Sequence, residues 1–192
     1  RAAIQEANAF AGADVIQIPA GTYTLSIAGA GEENAATGDL DVRDDLTLEG
    51  ASAGTTIIDG GALDRVLHVQ PMNVATLAVT VRDVTLRNGA VTNIYGAGIL
   101  HADDGSLLVE DATVTDNHVS GVTVDTIGGG IAANGTGSLT IRRTSLTNNS
   151  AYRGAAIFHN GPLLLAASTV SANTAVGSAA LDSYGFLLVE RC

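Results

Sequence analysis

The sequence predicts an all-β solenoid, a parallel β-helix of roughly six to seven coils with a short helix capping its N-terminal end. Short segments alternate aliphatic and polar residues and are rich in Val and Thr, which is typical of strands rather than helices. One such segment recurs along the chain, as expected for stacked coils. Aromatic residues make up only 4% of the 192 residues and tryptophan is absent, so small aliphatic side chains must fill the core.

The repeat is clearest from residue 79 onward, where four segments align. Each reads as a short strand, a two-residue corner, a second short strand, a polar bend, a variable loop and a closing aliphatic residue. The first inward column has intervals of 28, 32 and 24 residues and comprises Val81, Val109, Ile141 and Leu165. We therefore expect three short strands in each turn, with the variable loops projecting from one side of the stack.

The chain is interpreted as one β-helix domain over residues 1–192. The predicted boundaries are a cap helix at 1–11, irregular N-terminal coils at 14–78 and regular coils at 79–192. Ile4, Ala7 and Phe10 share one helical face, which is expected to cover the open end of the core. The last segment, FLLVERC, reads as an uncapped strand, so we expect that the natural chain continues or that this end contacts another protomer.

Composition excludes two classes of partner. The formal net charge is −11 and there is no basic stripe, so the phosphate backbone of nucleic acids would be repelled. No apolar run reaches the ~18–20 residues needed to cross a bilayer, so membrane insertion is not expected. The single cysteine, Cys192, allows neither an internal disulfide nor a CxxC metal pair.

Two sets of polar columns favour structural roles. Asn117, Asn149 and Asn173 share one column at a bend, where inward amides can bond the backbone of neighbouring coils, so we expect a hydrogen-bonded ladder. Two outward hydroxyl columns comprise Thr113, Thr115, Ser145, Thr147, Thr169 and Ser171. Exposed Thr is ordinary on strands, and ice binding through this flat array is a minor alternative.

Acidic residues concentrate in the stretch GEENAATGDLDVRDD, residues 31–45. If Leu40 and Val42 face inward, Asp39 and Asp41 project from the same outer face, where their oxygens could hold Ca²⁺. Such a charge run is more often a solvated edge. Calcium on Asp39 and Asp41 is therefore the alternative interpretation, and no other cofactor is predicted.

The candidate catalytic groups do not form a complete set. Asp103 and Asp104 are the closest carboxylate pair and His101 lies beside them, but the accompanying motifs of a polysaccharide hydrolase are missing. His101 and His159 share a column two coils apart, which is ~9–10 Å and too far for both to bind one zinc ion. No catalytic residue is therefore assigned.

Arg143 and His68 are also given no catalytic role. Arg143 aligns above Asp111, which predicts an ion pair between adjacent coils that contributes little to stability. His68 is interpreted as isolated.

Side chains in or beside the variable loops form the remaining candidate surface. Tyr rings can stack on sugars and Arg can bond hydroxyls or uronates. The alternative is that these side chains only pack over their own coil. The candidate ligand-binding residues are Tyr95, His101, Tyr152, Arg153 and His159.

The chain resembles the bacterial extracellular right-handed parallel β-helix repeat proteins with a pectin-lyase-like fold, and more narrowly those that open with a Cys-Ser-Leu-Arg-Glu-Ala-Ile signature. The matching segments are RAAIQEANA, ADVIQIPAGTYTL, TGDLDV, DDLTLEGASAGTTIIDGG and LDRVLHV. Ala2 stands where the signature has Glu, and the first three signature residues would precede Arg1. The resemblance spans nearly the whole chain and implies a single-stranded right-handed coil with an extracellular or cell-surface location. It implies no single activity, because this fold carries lyases, hydrolases, adhesins and inert stalks.

We therefore expect a non-catalytic secreted or cell-surface module that acts as a rigid stalk, an adhesin segment or an end-to-end assembling unit. Its expected partners are other copies of itself, through the uncapped C-terminal coil, and extracellular glycans. The alternative function is carbohydrate binding, or polysaccharide processing by a lyase or hydrolase, on the loop-bearing side.

Overall fold

The computed structural model describes residues 1–71 and 76–192 and is nearly all β, with parallel sheets stacked as a solenoid of about six turns. This architecture confirms the predicted fold class and the short N-terminal helix. In the described part of the chain, no helix is long and apolar enough to cross a membrane.

One short helix, α1 (Ala2–Ala7), precedes the strands. The first two coils comprise β1 (Asp14–Ile18), β2 (Gly21–Thr24), β3 (Leu40–Val42), β4 (Leu46–Gly50), β5 (Thr56–Asp59) and β6 (Leu67–Val69). The third and fourth comprise β7 (Ala78–Arg82), β8 (Thr85–Arg87), β9 (Ala90–Thr92), β10 (Ile99–His101), β11 (Ser106–Glu110), β12 (Thr113–Thr115), β13 (His118–Ser120) and β14 (Ile131–Ala133). The fifth and sixth comprise β15 (Ser138–Arg142), β16 (Ser145–Thr147), β17 (Ser150–Ala151), β18 (Ile157–His159), β19 (Leu163–Ala166), β20 (Thr169–Ser171), β21 (Thr174–Ala175) and β22 (Leu181–Ser183), and β23 (Leu187–Glu190) begins the next turn.

Equivalent strands of successive coils pair in parallel to form four sheets among the described residues. Sheet A has the order β1-β4-β7-β11-β15-β19-β23, and sheet B has β2-β5-β8-β12-β16-β20. Sheet C has the order β3-β6-β10-β14-β18-β22, and sheet D has β9-β13-β17-β21. The expected three strands per turn are therefore correct for the first two coils only. The later coils add a fourth short strand directly after the polar bend, where the backbone stays extended long enough to pair again.

The core consists of aliphatic columns that run along the stack. Val81, Val109, Ile141 and Leu165 align on neighbouring strands of sheet A and are all buried, as the repeat predicted. Sheets B and C supply the facing columns, comprising Leu86, Val114 and Leu146 from sheet B and Ile99, Ile131 and Ile157 from sheet C. Each column places equally small side chains at the strand spacing of ~4.8 Å, so no large aromatic side chain is needed to fill the interior.

Each regular coil turns through two corners at which one residue adopts a left-handed conformation. The corner between sheets A and B has φ values of 46° to 57° at Asp83, Asp111, Arg143 and Ala167. The bend after sheet B has φ values of 54° to 56° at Asn88, Asp116, Asn148 and Ala172. Asn and Asp tolerate this region better than most residues, which accounts for their frequency at both corners.

The predicted asparagine ladder is present at the second bend. Oδ1 of Asn149 accepts hydrogen bonds from the backbone N–H and from Nδ2 of Asn117, at 3.1 and 3.0 Å. Asn149 donates in the same way to Oδ1 of Asn173, at 2.9 and 3.1 Å. The Asn149 amide nitrogen also donates to the carbonyl of Val114 at 2.9 Å. These contacts satisfy the bend's polar groups inside the stack, where water is excluded.

The two ends of the solenoid differ. At the N-terminal end, α1 buries Ile4 and Ala7 against the first coil. The helix ends at Ala7, so the expectation that Phe10 shares the buried face was wrong, and Phe10 is 68% exposed. At the other end, Leu187 and Val189 continue two core columns on β23 but remain 39% and 48% exposed.

We predict that Asn149→Ala destabilises the chain by about 2–4 kcal/mol, because the buried donors of Asn117 and the carbonyl of Val114 lose their Asn149 partner. Urea denaturation followed by circular dichroism measures this loss. Asn173→Ala is the matched control, since Asn173 ends the ladder and is only partly buried, so water can replace its contacts. Equal effects of the two substitutions would contradict a cooperative internal ladder.

Candidate functional site

The acidic N-terminal stretch is folded into the structure instead of forming a solvated edge. Leu40 and Val42 belong to the core, as expected, so Asp39 and Asp41 point to the outer side of sheet C. Both aspartates are nevertheless only 2% exposed. The preceding loop covers them, and the backbone N–H of Ala35 donates to Oδ2 of Asp41 at 2.6 Å.

Asp39 is engaged by an ion pair with Arg65, whose Nη1 lies 3.0 Å from its Oδ2 atom. Burial raises the pKa of Asp39 to about 6, with Asp41 and Asp64 acting in the same direction and Arg65 opposing them. A carboxylate that already neutralises a buried guanidinium is a poor free ligand. The structure therefore does not bring Asp39 and Asp41 together as one pair of calcium ligands.

Asp41 instead lies beside His68, so the prediction that His68 is isolated is wrong. The two residues are register partners on adjacent strands β3 and β6. The Asp41 Oδ1 and His68 Nδ1 atoms are 3.4 Å apart, and Glu33 from the covering loop places Oε2 3.4 Å from the same nitrogen. Alignment of the segments LDV and LHV would have revealed the Asp41–His68 column, because each flanks its polar residue with inward aliphatics.

Tyr95 and Arg153 occupy one position in the variable loops, two coils apart. Each forms a single β-bridge with Ile127 of the intervening coil. Arg153 Nε donates to Oδ2 of Asp182 at 3.0 Å, and Arg153 Nη2 donates to the hydroxyl of Tyr184. These hydrogen bonds raise the pKa of Arg153, with Tyr184 contributing most. The guanidinium is thereby fixed to the next coil.

A shallow groove of about 470 Å³ opens at this position, and its walls include Tyr95, Asp125, Phe158 and Tyr184. The guanidinium of Arg153 also lies 5.8 and 5.5 Å from the ring centres of Phe158 and Tyr184. The Tyr95 hydroxyl donates to Asp125 Oδ1 at 3.3 Å. Burial, together with the charge of Asp125, raises the pKa of Tyr95. The groove thus combines aromatic faces with carboxylates and one paired cation.

Tyr152 does not line this groove. Its ring packs against Gly177, where a Cβ atom would lie 2.3 Å from the ring's Cζ atom. Gly177 is therefore required for this close approach, and Tyr152 packs over the next coil, not over its own coil as the alternative expected.

His101 and His159 are not part of the loop surface, which corrects their expected placement. They share a register column with Val69 and Ala133, whose side chains belong to the core. His101 is 1% exposed and His159 is 0% exposed, so neither can contact a ligand at the surface. Burial lowers the pKa of both rings, and for His101 the nearby Asp103 partly opposes this. The sequence contains a signal for this burial, because each histidine follows a buried isoleucine, Ile99 or Ile157, by two residues. On a strand, residues two apart face the same side.

The paired aspartates near His101 act as backbone caps. Asp103 accepts hydrogen bonds from the backbone N–H groups of Leu77 and Gly105, at 2.6 and 2.9 Å. Asp104 accepts from the backbone and the hydroxyl of Thr136, at 2.6 and 2.9 Å. The Thr136 hydrogen bonds lower the pKa of Asp104. Both carboxylates thus form hydrogen bonds that connect the corners of neighbouring coils.

Two other predicted arrangements are found as expected. Arg143 forms an ion pair with Asp111, with a shortest N–O distance of 2.6 Å, across adjacent coils. The hydroxyl columns are in register on sheet B, where Thr113 pairs with Ser145 and Ser145 pairs with Thr169. The register aligns these hydroxyl columns along the stack, and ice binding by them stays a prediction.

Comparisons of the chain with protein-family models, with curated proteins and with solved structures found no match. The fold and the contacts described above are therefore the basis for the functional proposals.

We predict that the two buried histidines make the folded state less stable in acid. Unfolded histidines protonate near pH ~6.5, whereas the folded rings resist protonation, so below that pH the unfolded state binds more protons and stability falls. The slope is up to about 1.4 kcal/mol per pH unit for each ring.

The measurement compares urea denaturation of the wild-type chain and a His101→Val/His159→Val variant between pH 5 and 8. Valine is chosen because Val69 occupies the same column. The variant should lose the contribution of the two histidines, so the difference in stability between the two proteins should change below pH ~6.5 and stay constant above pH ~7.5. Parallel curves over the whole range would contradict the prediction.

Proposed function

We propose that this chain is a rigid, non-catalytic β-helix module of a secreted or cell-surface protein, which holds its loops at fixed spacing and associates end to end. The observation that carries this proposal is the unbroken register of the coils. Sheet A continues in parallel from β1 to β23, and the core columns follow it without interruption among the described residues. A continuous stack of this kind is a rigid spacer that holds its two ends at a fixed distance, as a stalk requires.

Several features support a structural role over a catalytic one. Asp103 and Asp104 are committed to capping the backbone, and Arg143 is committed to Asp111. The asparagine ladder adds hydrogen bonds between coils, which opposes bending at the loop side. The resemblance to extracellular β-helix repeat proteins supports a location outside the cell.

The exposed end of β23 supports association of one copy with another. Leu187 and Val189 align with Leu163 and Leu165 of the core, yet both present apolar surface to solvent. Phe186 is also exposed beside them. A strand edge with apolar side chains is a template for another strand, so a second copy stacking on this coil would bury it.

We predict that the 192-residue chain self-associates and that a Leu187→Lys/Val189→Lys variant does not, because stacking would bury two unpaired charges. Sedimentation velocity over a range of concentrations measures the association. A defined dimer would indicate contact of two C-terminal ends, and an open series of polymers would indicate head-to-tail stacking.

Leu188→Lys is the matched control for this experiment. Leu188 lies on the same strand but aligns with Leu164, which faces outward, so the control should retain association. A wild-type chain that stays monomeric, or a control that dissociates as fully as the double variant, would refute end-to-end association.

A second candidate function is glycan binding in the groove beside Arg153, which is favoured by its aromatic walls. The rings of Phe158 and Tyr184 lie 5.9 Å apart at an interplanar angle of 57°, and Tyr95 borders the same groove. Asp125 gives the groove wall a negative charge, whereas the positive charge of Arg153 is already neutralised by Asp182. These charges favour neutral sugars over uronates.

We predict that Tyr95→Ala weakens binding of a neutral oligosaccharide about tenfold or more, whereas Tyr152→Ala leaves it unchanged. Glycan-array screening selects the sugar, and calorimetry measures its affinity for the two variants. Release of shorter products during the assay would refute the non-catalytic proposal. Equal affinities of both variants would place any binding outside this groove.

A further inference from the structure

We propose that Glu33, Asp41 and His68 form a binding site for a divalent transition-metal ion, with Zn²⁺ as the preferred ion. This inference is independent of the end-to-end association and of the glycan groove. The site lies on the outer side of sheet C in the first two coils, far along the stack from β23. It would join three separate parts of the chain: the loop after β2, strand β3 and strand β6.

The distances fit one metal ion. The Nδ1 atom of His68 lies 3.4 Å from Asp41 Oδ1 and 3.4 Å from Glu33 Oε2. All three candidate ligand atoms lie within 4.8 Å of one another. Two ligands that are each 2.0–2.1 Å from a tetrahedral zinc ion are about 3.3–3.4 Å apart, so both edges at His68 already have the required length. The remaining edge closes by movement of Glu33, the most exposed of the three residues.

The two inner ligands have unused polar atoms that point at the proposed ion. His68 is 5% exposed and Asp41 is 2% exposed. Among the described residues, neither His68 Nδ1 nor Asp41 Oδ1 has a hydrogen-bond partner. A buried nitrogen and a buried carboxylate oxygen without partners cost free energy unless a cation or proton lies between them.

The protein already orients the carboxylate of Asp41. Its Oδ2 atom accepts the hydrogen bond from Ala35 N–H at 2.6 Å, which leaves Oδ1 directed at His68. The parallel pairing of β3 with β6 fixes the separation of Asp41 and His68. Hydrogen bonds of this kind to the non-ligating atom are typical of metal-binding carboxylates. Two of the three ligands are therefore preorganised by the fold.

The ligand types favour a transition-metal ion over calcium. Imidazole nitrogen suits zinc, copper, nickel and iron, whereas calcium requires six to eight oxygen ligands. Two carboxylates and one imidazole leave a fourth tetrahedral position for water. The proposed site retains Asp41, one of the two residues of the predicted calcium pair. Glu33 and His68 take the place of Asp39, and the expected ion changes from calcium to zinc.

The experiment titrates metal-free chain, prepared with a chelator, with Zn²⁺, Co²⁺, Ca²⁺ and Mg²⁺ separately by calorimetry. All variants carry Cys192→Ser, because an exposed thiol could bind zinc on its own. We expect one Zn²⁺ or Co²⁺ per chain, a higher melting temperature with either ion, and no effect of Ca²⁺ or Mg²⁺. The visible absorption of bound Co²⁺ provides an independent readout of nitrogen and oxygen coordination.

Glu33→Gln is the decisive variant, because the Glu33 side chain is 42% exposed and its loss should not impair folding. It is expected to weaken Zn²⁺ binding at least tenfold. Glu6→Gln is the matched control, because it makes the same change of charge at an exposed position on α1 outside the ligand set, and it should bind like the parent. His68→Gln should abolish the Co²⁺ spectrum.

Three results would overturn the proposal. The first is the absence of stoichiometric Zn²⁺ or Co²⁺ binding by the metal-free chain. The second is binding that survives both Glu33→Gln and His68→Gln, which would place the ion elsewhere. The third is calcium binding of equal affinity, which would refute the choice of ion.

Discussion

The whole molecule depends on one constraint: each coil must repeat the hydrogen-bonding register of the coil before it. In a parallel stack, the backbone donors and acceptors of a strand are satisfied only by the strands above and below. Any inward polar side chain must then bond along the stack as well, because inward side chains such as Asn117 and Asn149 are fully buried from solvent. Asn149 meets this demand because one amide both accepts from Asn117 and donates to Asn173. Loops are free to vary only because they lie outside this register.

The same register organises the charged side chains. The ion pairs Arg82–Glu49, Arg87–Asp59, Arg143–Asp111 and Arg153–Asp182 each join residues of neighbouring coils. The partners in the Arg143 pair are well exposed to solvent, so this pair contributes little to stability. Stability therefore comes mainly from the aliphatic columns and the buried amide ladder, and the surface charges serve to discourage slipped registers.

The sequence predicts those parts of the structure in which the same residue type recurs at a fixed interval, and it does not predict the parts outside the repeat. The columns of Val81 and Leu86 could be predicted because inward aliphatics recur at fixed offsets from the corners. His101 could also have been placed inside, because it lies two residues after the buried Ile99. The burial of Asp41 could not be predicted, since it depends on a loop folding back over sheet C, and loop conformation leaves no periodic pattern. Only the alignment of Asp41 with His68 was available in advance.

The outer face of sheet C carries the polar and aromatic side chains on which the proposed binding sites depend. One register column runs along it from Asp41 and His68, through Leu100 and Ala132, to Phe158 and Asp182. Its first members belong to the proposed metal site, and its last members border the groove beside Arg153.

The described first two coils lack the asparagine ladder, because Gly60 stands at the bend and Asp59 bonds the neighbouring groups instead. A metal ion that joins the covering loop to β3 and β6 would strengthen the stack where the amide ladder does not reach. We therefore expect a cross-link at the N-terminal coils to stabilise the stack more than one placed along the regular repeat.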